Sequence, residues 1–352
     1  MQKLEKILKK NIKALGAISV REFMNIALYH PDYGYYIKKD IIGKSGDFIT
    51  APEVSQVFGE LIANWILVNY NSLINGNFNY LELGPGKGTL CKDILRTIKK
   101  MDSNIFKKLE KIYFLEKAKY FKSNLKKNFK NCLFIEDIAA IGSKSLIVLA
   151  NEFFDALPVN QYIKKNSKWY KRIICLDNSD NFMFTLAKNP VLNELSFPKK
   201  AKNGDIFEYS EYSDLLITQI CKKINKNNGA LIIIDYAKTN EDLNGAITAI
   251  FKHKIVDLFY KPGLTDISVK PDFDFYKEIA IKENCKIIGP IKQGFFLQKL
   301  GINERISQLI KYNPNLEESL YKQKKRLTSI KEMGDLFKVL IITNKKFSNT
   351  IF

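Results

Sequence analysis

The hydrophobic rhythm of the chain changes near residue 76. From Asn79 onward, short apolar runs alternate with stretches whose apolar positions recur at helical spacing. This predicts strands at Tyr80–Leu83, Lys111–Leu115, Cys132–Ile135 and Ser145–Ala150, with helices from about Thr89 and over Lys119–Phe129 between them. Strands alternating with helices imply a parallel sheet joined by right-handed crossovers. Residues 159–228 break the rhythm. Val159–Ile163, Trp169–Leu176 and Asn181–Leu186 read as strands of an inserted antiparallel element, followed by a helix near Tyr212–Asn225. Gly229–Ile234 is an uninterrupted apolar run, as in a strand buried on both faces. Lys286–Lys299 and Leu336–Thr343 are expected to close the sheet as an antiparallel strand pair. The expected architecture is a doubly wound, mostly parallel α/β domain over residues 76–352, preceded by an N-terminal helical or lid region over 1–75.

Composition narrows the setting. With 46% apolar and 26% charged residues the chain is in the globular range, and no apolar run reaches the ~18 residues of a membrane helix. The opening MQKLEKILKKNIKAL reads as a lysine-rich amphipathic helix, without the apolar core of a secretory signal. Five scattered cysteines, with no C-x-x-C, argue against a disulfide framework or zinc site and suit a reducing cytoplasm. Only His30 and His253 are present, so no metal is expected. The net charge of +19 comes almost entirely from lysines spread along the chain; the arginines are Arg21, Arg96, Arg172, Arg305 and Arg326. Nucleic-acid surfaces cluster their charge and use arginine forks, so nucleic acid is disfavoured as a partner.

The strongest motif is YLELGPGKGTL at 80–90, which puts Gly84, Gly86 and Gly88 directly after a strand, with Thr89 opening a helix. Glycines there let a ligand approach the backbone at the carboxyl end of the sheet. The third glycine comes one residue too early for a dinucleotide fingerprint, and Glu82 before the loop would repel a pyrophosphate. Glu82 instead suits a cationic ligand carrying a sulfonium and an amino group. Glu116 ends the next strand, where an acid accepts ribose hydroxyls, and Asp137 with Ile138 follows the third, placed for an adenine amine and face. Three acids after three consecutive strands beside a glycine loop point to S-adenosylmethionine.

The fourth strand runs into ANEFFDALPVNQY. Asn151, Glu152 and Asp155 stand there at the carboxyl edge as candidate catalytic residues; the competing reading is a capped turn ended by Pro158. On a helical first turn the spacing would put Glu152 and Asp155 on one face. A guanidinium is the acceptor that most needs such carboxylates. The fifth strand ends in Asp235-Tyr236, which either touches the substrate or caps the strand. Asp47, Thr50 and Glu53 lie in SGDFITAPEVSQVFGE, a turn and an amphipathic helix from about Glu53 that read as a lid or a docking segment.

Together HPDYGYY, GDFITAPEVSQVFGELIA, LELGPGKGTL, ANEFFDALPVNQ, GALIIIDYA, GLTDISVKPDF, QGFFLQKLGINER and MGDLFKVL resemble the MidA-like family over nearly the whole chain. Its mitochondrial members are complex I assembly methyltransferases. The resemblance implies a class I methyltransferase (Rossmann-like) fold and S-adenosylmethionine as donor. For the mitochondrial members it implies symmetric dimethylation of an arginine on a quinone-module subunit of complex I. Glu82, Gly84, Gly86, Gly88 and Glu116 match the family's donor motifs. The chain departs from the pattern at Ala237, where the family has glycine, and at Ile250-Phe251-Lys252-His253, which keeps only the histidine of Tyr-Arg-Gly-His. The resemblance implies a cytoplasmic protein in a bacterium and a matrix protein in a eukaryote, and leaves a homodimer open. The alternatives are an RNA or small-molecule methyltransferase, or an assembly scaffold with the donor fold and little turnover. A nicotinamide oxidoreductase is a distant fourth.

Overall fold

The long apolar runs become neighbouring strands of one sheet. The computed structural model describes residues 3–37, 49–191, 197–198, 200–238 and 244–348. The chain divides into two units: Met1–Lys39 with Phe154–Ser213 and Lys238–Pro271, and Asp40–Phe153 with Asp214–Ala237 and Asp272–Phe352. Residues 1–75, expected as one region, therefore fall in both.

The second unit holds the main sheet. Its strands are β1 (Phe78–Leu83), β2 (Leu109–Leu115), β3 (Cys132–Phe134), β4 (Ser145–Asn151), β5 (Gly229–Tyr236), β6 (Lys286–Lys292) and β7 (Phe337–Thr343). They lie in the order β6-β7-β5-β4-β1-β2-β3. The strands from β5 to β3 are parallel, and β7 runs antiparallel to both β5 and β6. This is the doubly wound sheet with an antiparallel strand pair that the periodicity implied. The order reverses between β1 and β4, and ligands of such sheets bind at the carboxyl ends beside that reversal. Most of β4 and β5 is buried, so their apolar runs have no polar face to alternate with.

Two expectations fail locally. Lys286–Lys299 is not one strand: β6 stops at Lys292 and Gln293–Lys299 is a helix. Phe296, Leu297 and Leu300 are buried while Phe295 is half exposed, a spacing that suits a helix and not an alternating strand. The helix expected from Glu53 is interrupted at Ser55, whose extended backbone (φ −158°, ψ 136°) ends Ala51–Val54. Its hydroxyl then caps Gln56–Val68 by accepting from the Val57 N–H.

Glu60 on that helix is a buried tie. Its carboxylate takes Arg96 at 3.0 Å and Arg305 at 2.7 Å, joining Gln56–Val68 to helices Thr89–Met101 and Ile302–Tyr312. Removing it leaves two guanidinium groups facing a buried site. Glu60→Ala is expected to cost about 1–2 kcal/mol, because both arginines keep partial access to water. Thermal unfolding should show a melting temperature lower by a few degrees.

The first unit contains helices Lys3–Leu15 and Val20–Tyr29, the latter opened by a Ser19–Glu22 capping box. The inserted antiparallel element is present as Asn160–Lys165, Lys168–Leu176, Phe182–Pro190 and Ile206–Tyr209. Ile18–Ser19 adds to it alongside Lys168–Leu176. A small second sheet of Thr248–Phe251, Lys254–Val256 and Asp266–Ser268 had no clear periodic signal. Helix Glu211–Asn227 follows the inserted element in the chain.

Candidate donor-binding and catalytic site

Register brings the sequence motifs side by side. Leu83 at the end of β1 pairs with Ala150 of β4 and Leu115 of β2, and Asn151 pairs with Ile234 of β5. The glycine loop, Glu116, Asn151 and Asp235 thus leave neighbouring strands at one edge.

Gly84, Gly86 and Gly88 all have positive φ, at 63°, 52° and 78°, the region an L side chain disfavours. A Cβ at Gly84 would lie 2.8 Å from the Phe153 ring, and one at Gly88 2.7 Å from Leu125 Cδ2. Gly86 faces a different constraint: its N–H donates to the Glu116 carboxylate, which also accepts from Lys117 and from Ala118 at 2.8 Å. Burial raises the Glu116 carboxyl above its ordinary range against these donors. Thr89 donates its hydroxyl to Glu53, whose other oxygen lies 3.9 Å from the Lys87 ammonium. Glu53 of the expected lid therefore meets the glycine loop directly. Thr50 is the residue before helix Ala51–Val54, but its side chain does not cap it. Asp47 lies outside the described residues.

Glu82 is only 4% exposed, and burial pushes its carboxyl up to about 8. Its partners are the Tyr80 hydroxyl, which donates at 2.7 Å, and the Cys91 N–H. No ion pair reaches it among the described residues. Tyr80 was missed from sequence, although positions two apart on a strand share a face. A buried carboxyl without a cation, beside a backbone cradle that excludes side chains, fits a ligand with its own positive charge. A pyrophosphate would meet two acids there. Asp137 acts more locally. It caps the turn Ile138–Ala140 by accepting from Ala139 N at 2.9 Å, and also accepts from Gln219 Nε2. Ile138 beside it is buried.

At the head of β4, Glu152 has φ 50°, and its N–H donates to the Ile234 carbonyl at 2.9 Å. Its Oε1 accepts from Ala51 N at 3.1 Å and from Asn151 Nδ2 at 3.2 Å. Burial raises its carboxyl to about 7. Asp235 is fully buried and braces the same turn, accepting from Phe153 N at 3.2 Å and from Tyr236 N at 2.8 Å. The Tyr236 ring packs on Phe337, with centroids 4.2 Å apart.

The helical first turn expected to carry Glu152 and Asp155 on one face does not form. Glu152 is left-handed, and only a short 3-10 turn, Phe154–Ala156, follows it. Asp155 belongs to the first unit, where its carbonyl accepts from Val269 N at 2.9 Å. His253 is exposed in the two-residue turn between Thr248–Phe251 and Lys254–Val256, where Lys252 and His253 both have positive φ. Phe153, against Gly84, and Lys87, beside Glu53, complete the site and were not singled out from sequence. Among the described residues no helix is long and apolar enough to cross a membrane, and no three His, Cys, Asp or Glu side chains are grouped to hold a metal ion.

Comparison with known proteins agrees with this chemistry. Residues 61–291 match the Methyltransf_28 family model, described as an S-adenosyl-L-methionine-dependent methyltransferase. The chain is 30% identical to the protein arginine methyltransferase NDUFAF7 homolog, mitochondrial, of Drosophila melanogaster, over 96% of this chain and 84% of that protein. It is 31% identical to mitochondrial NDUFAF7 of Homo sapiens, over 93% of this chain and 80% of that protein. A COG1565 superfamily member from Burkholderia thailandensis, solved with S-adenosyl-homocysteine, shares the fold. Its TM-score is 0.82 at 20% identity, over 99% of this chain and 93% of that one. The sheet order, the glycine loop and these relatives together establish that the chain belongs to the Methyltransf_28 family of S-adenosyl-L-methionine-dependent methyltransferases.

Proposed function

We propose that this methyltransferase modifies an arginine side chain of a protein partner, and that the Glu152 carboxyl receives the guanidinium. The observation that carries the reading is a half-buried acid at the carboxyl edge of β4, raised to about 7 and held by Ala51 N–H and Asn151. The relatives named as protein arginine methyltransferases support the substrate class. By the same resemblance the partner is a quinone-module subunit of respiratory complex I or its bacterial counterpart.

When bound, the donor supplies an electrophilic methyl group on a sulfonium. The Gly84, Gly86 and Gly88 backbone admits it, Glu82 offsets its amino group, and Glu116 accepts the ribose hydroxyls. Asp137 and Ile138 flank the adenine, and Thr89 with Glu53 holds the loop closed beneath it. Glu152, ionised above about pH 7, orients the guanidinium and accepts hydrogen bonds from the nitrogens that do not react. Asn151 keeps Glu152 Oε1 in place, and Asp235 holds the turn that presents it.

Glu82 makes donor binding pH-dependent. Its folded pKa, about 8, lies above the ordinary 4.5, so the ligand-free chain loses this group's stability contribution as pH rises from about 4.5 to 8. A cationic ligand favours the ionised form, so binding at pH 7 should release up to about one proton, and affinity should rise toward pH 8. Calorimetry in buffers of different ionisation enthalpy measures the release. Unchanged proton release in Glu82→Gln would remove Glu82 from this role.

The reading itself is tested by incubating cell extract with isotopically labelled donor and locating the label by mass spectrometry. Label on arginine nitrogen of one protein supports it. Label confined to RNA or to small molecules would replace the protein substrate.

A further inference from the structure

Cys221 and Cys285 are 64 residues apart in the chain, yet the fold places them in contact. Cys221 is fully buried on helix Glu211–Asn227, and Cys285 stands just ahead of β6, half-buried. The Cys285 Sγ lies 3.6 Å from the Cys221 carbonyl oxygen and 3.9 Å from the Glu283 carbonyl oxygen. Both sides of the contact are clamped. Asn225 Nδ2 donates to the Glu283 carbonyl at 3.0 Å, and the Lys222 ammonium lies 3.7 Å from the Glu283 carboxylate. Cys285 N–H closes the turn on Ala280 at 2.9 Å. The other cysteines differ. Cys175 belongs to the first unit, and Cys132 Sγ contacts only the Leu125 carbonyl among the hydrogen bonds of the described residues, at 3.9 Å.

We propose that Cys221 and Cys285 form a reversible redox site that reacts with low-molecular-weight disulfides such as oxidised glutathione and closes to a disulfide between helix Glu211–Asn227 and the start of β6. The order of events follows from exposure and charge. Cys285 is the thiol that solvent reaches, and the neighbouring Cys221 thiol holds it below the usual thiol range. The Cys285 thiol beside it, and then burial, push Cys221 up. The Cys285 thiolate attacks one sulfur of oxidised glutathione, the S–S bond breaks, and one glutathione leaves as thiol with a proton from solvent. Cys221 then gives up its proton and attacks Cys285 Sγ, displacing the second glutathione. The two protein thiols lose two electrons and two protons in all, and the glutathione disulfide gains them. No step involves the methyl donor.

The test uses the full-length protein with oxidised glutathione, followed by alkylation and peptide mapping without reductant. The wild type should lose two of its five thiols and yield a linked peptide joining Cys221 to Cys285. The melting temperature should rise by several degrees, because the cross-link closes a long loop, and dithiothreitol should reverse both changes. Cys221→Ser, which cannot resolve the first adduct, should instead accumulate glutathione on Cys285 with no thermal gain. Retention of all five thiols, a stable glutathione adduct on Cys285 of the wild type, or a link between Cys91 and Cys132 in its place would each overturn the proposal.

Discussion

Gly86→Val should abolish binding of S-adenosylmethionine and of its demethylated product. The residue has φ 52°, where a β-branched side chain is strained, and its N–H holds the Glu116 carboxylate. Valine displaces that N–H and adds two methyls over the cradle. The expected rise in Kd is about a hundredfold or more, equivalent to about 2.7 kcal/mol. Isothermal calorimetry measures it, and far-ultraviolet circular dichroism checks that the chain remains folded. Donor binding at wild-type affinity, or NAD bound more tightly than the donor, would remove the glycine loop from the site. Gly84 and Gly88 are poorer choices, since added atoms there strike Phe153, Leu125 and Phe129 and report on packing as well.

The second large effect is expected at Glu152. Glu152→Gln preserves size, and its amide oxygen still accepts from Ala51 N–H and Asn151 Nδ2, so the turn after β4 should keep its form. The carboxylate charge proposed to face the guanidinium is lost. Turnover on the protein target should fall about a hundredfold or more, with donor affinity unchanged. Wild-type turnover should rise with pH through about 7 as Glu152 ionises, and that limb should vanish from the variant's profile. Normal turnover in Glu152→Gln, with donor bound, would make this turn a brace and move catalysis elsewhere. Asp155→Asn provides the contrast: a contact to substrate lowers turnover, whereas a purely structural role lowers the melting temperature alone.

Much of the candidate donor site was legible because its parts are local. A glycine loop after a strand, an acid two residues before it and an acid after the next strand are set by short-range geometry, and parallel register does the rest. The turn after β4 was harder to read. NEFFDALP has the spacing of a helical turn, but the β4–β5 register and the Asp235 carboxylate hold its start, so Glu152 takes a left-handed conformation and only a 3-10 turn follows. Asp137, read from the sequence as a ligand group, also carries the capping bond of a turn, which only the folded backbone reveals.

By itself, the sequence determined the sheet, its antiparallel strand pair, the glycine loop and the choice of a cationic donor over a pyrophosphate. Those depend on hydrophobic period, backbone permissiveness and the sign of nearby charge, all properties of short segments. Only the tertiary structure decided which groups are deprived of water and which distant residues meet. Glu82 and Glu152 are raised because packing buries them. Glu53 reaches Thr89, Glu60 reaches Arg305 and Cys285 reaches Cys221 because the folded elements bring them together across long stretches of chain. Periodicity describes the elements; burial and long-range contact arise only when the elements pack.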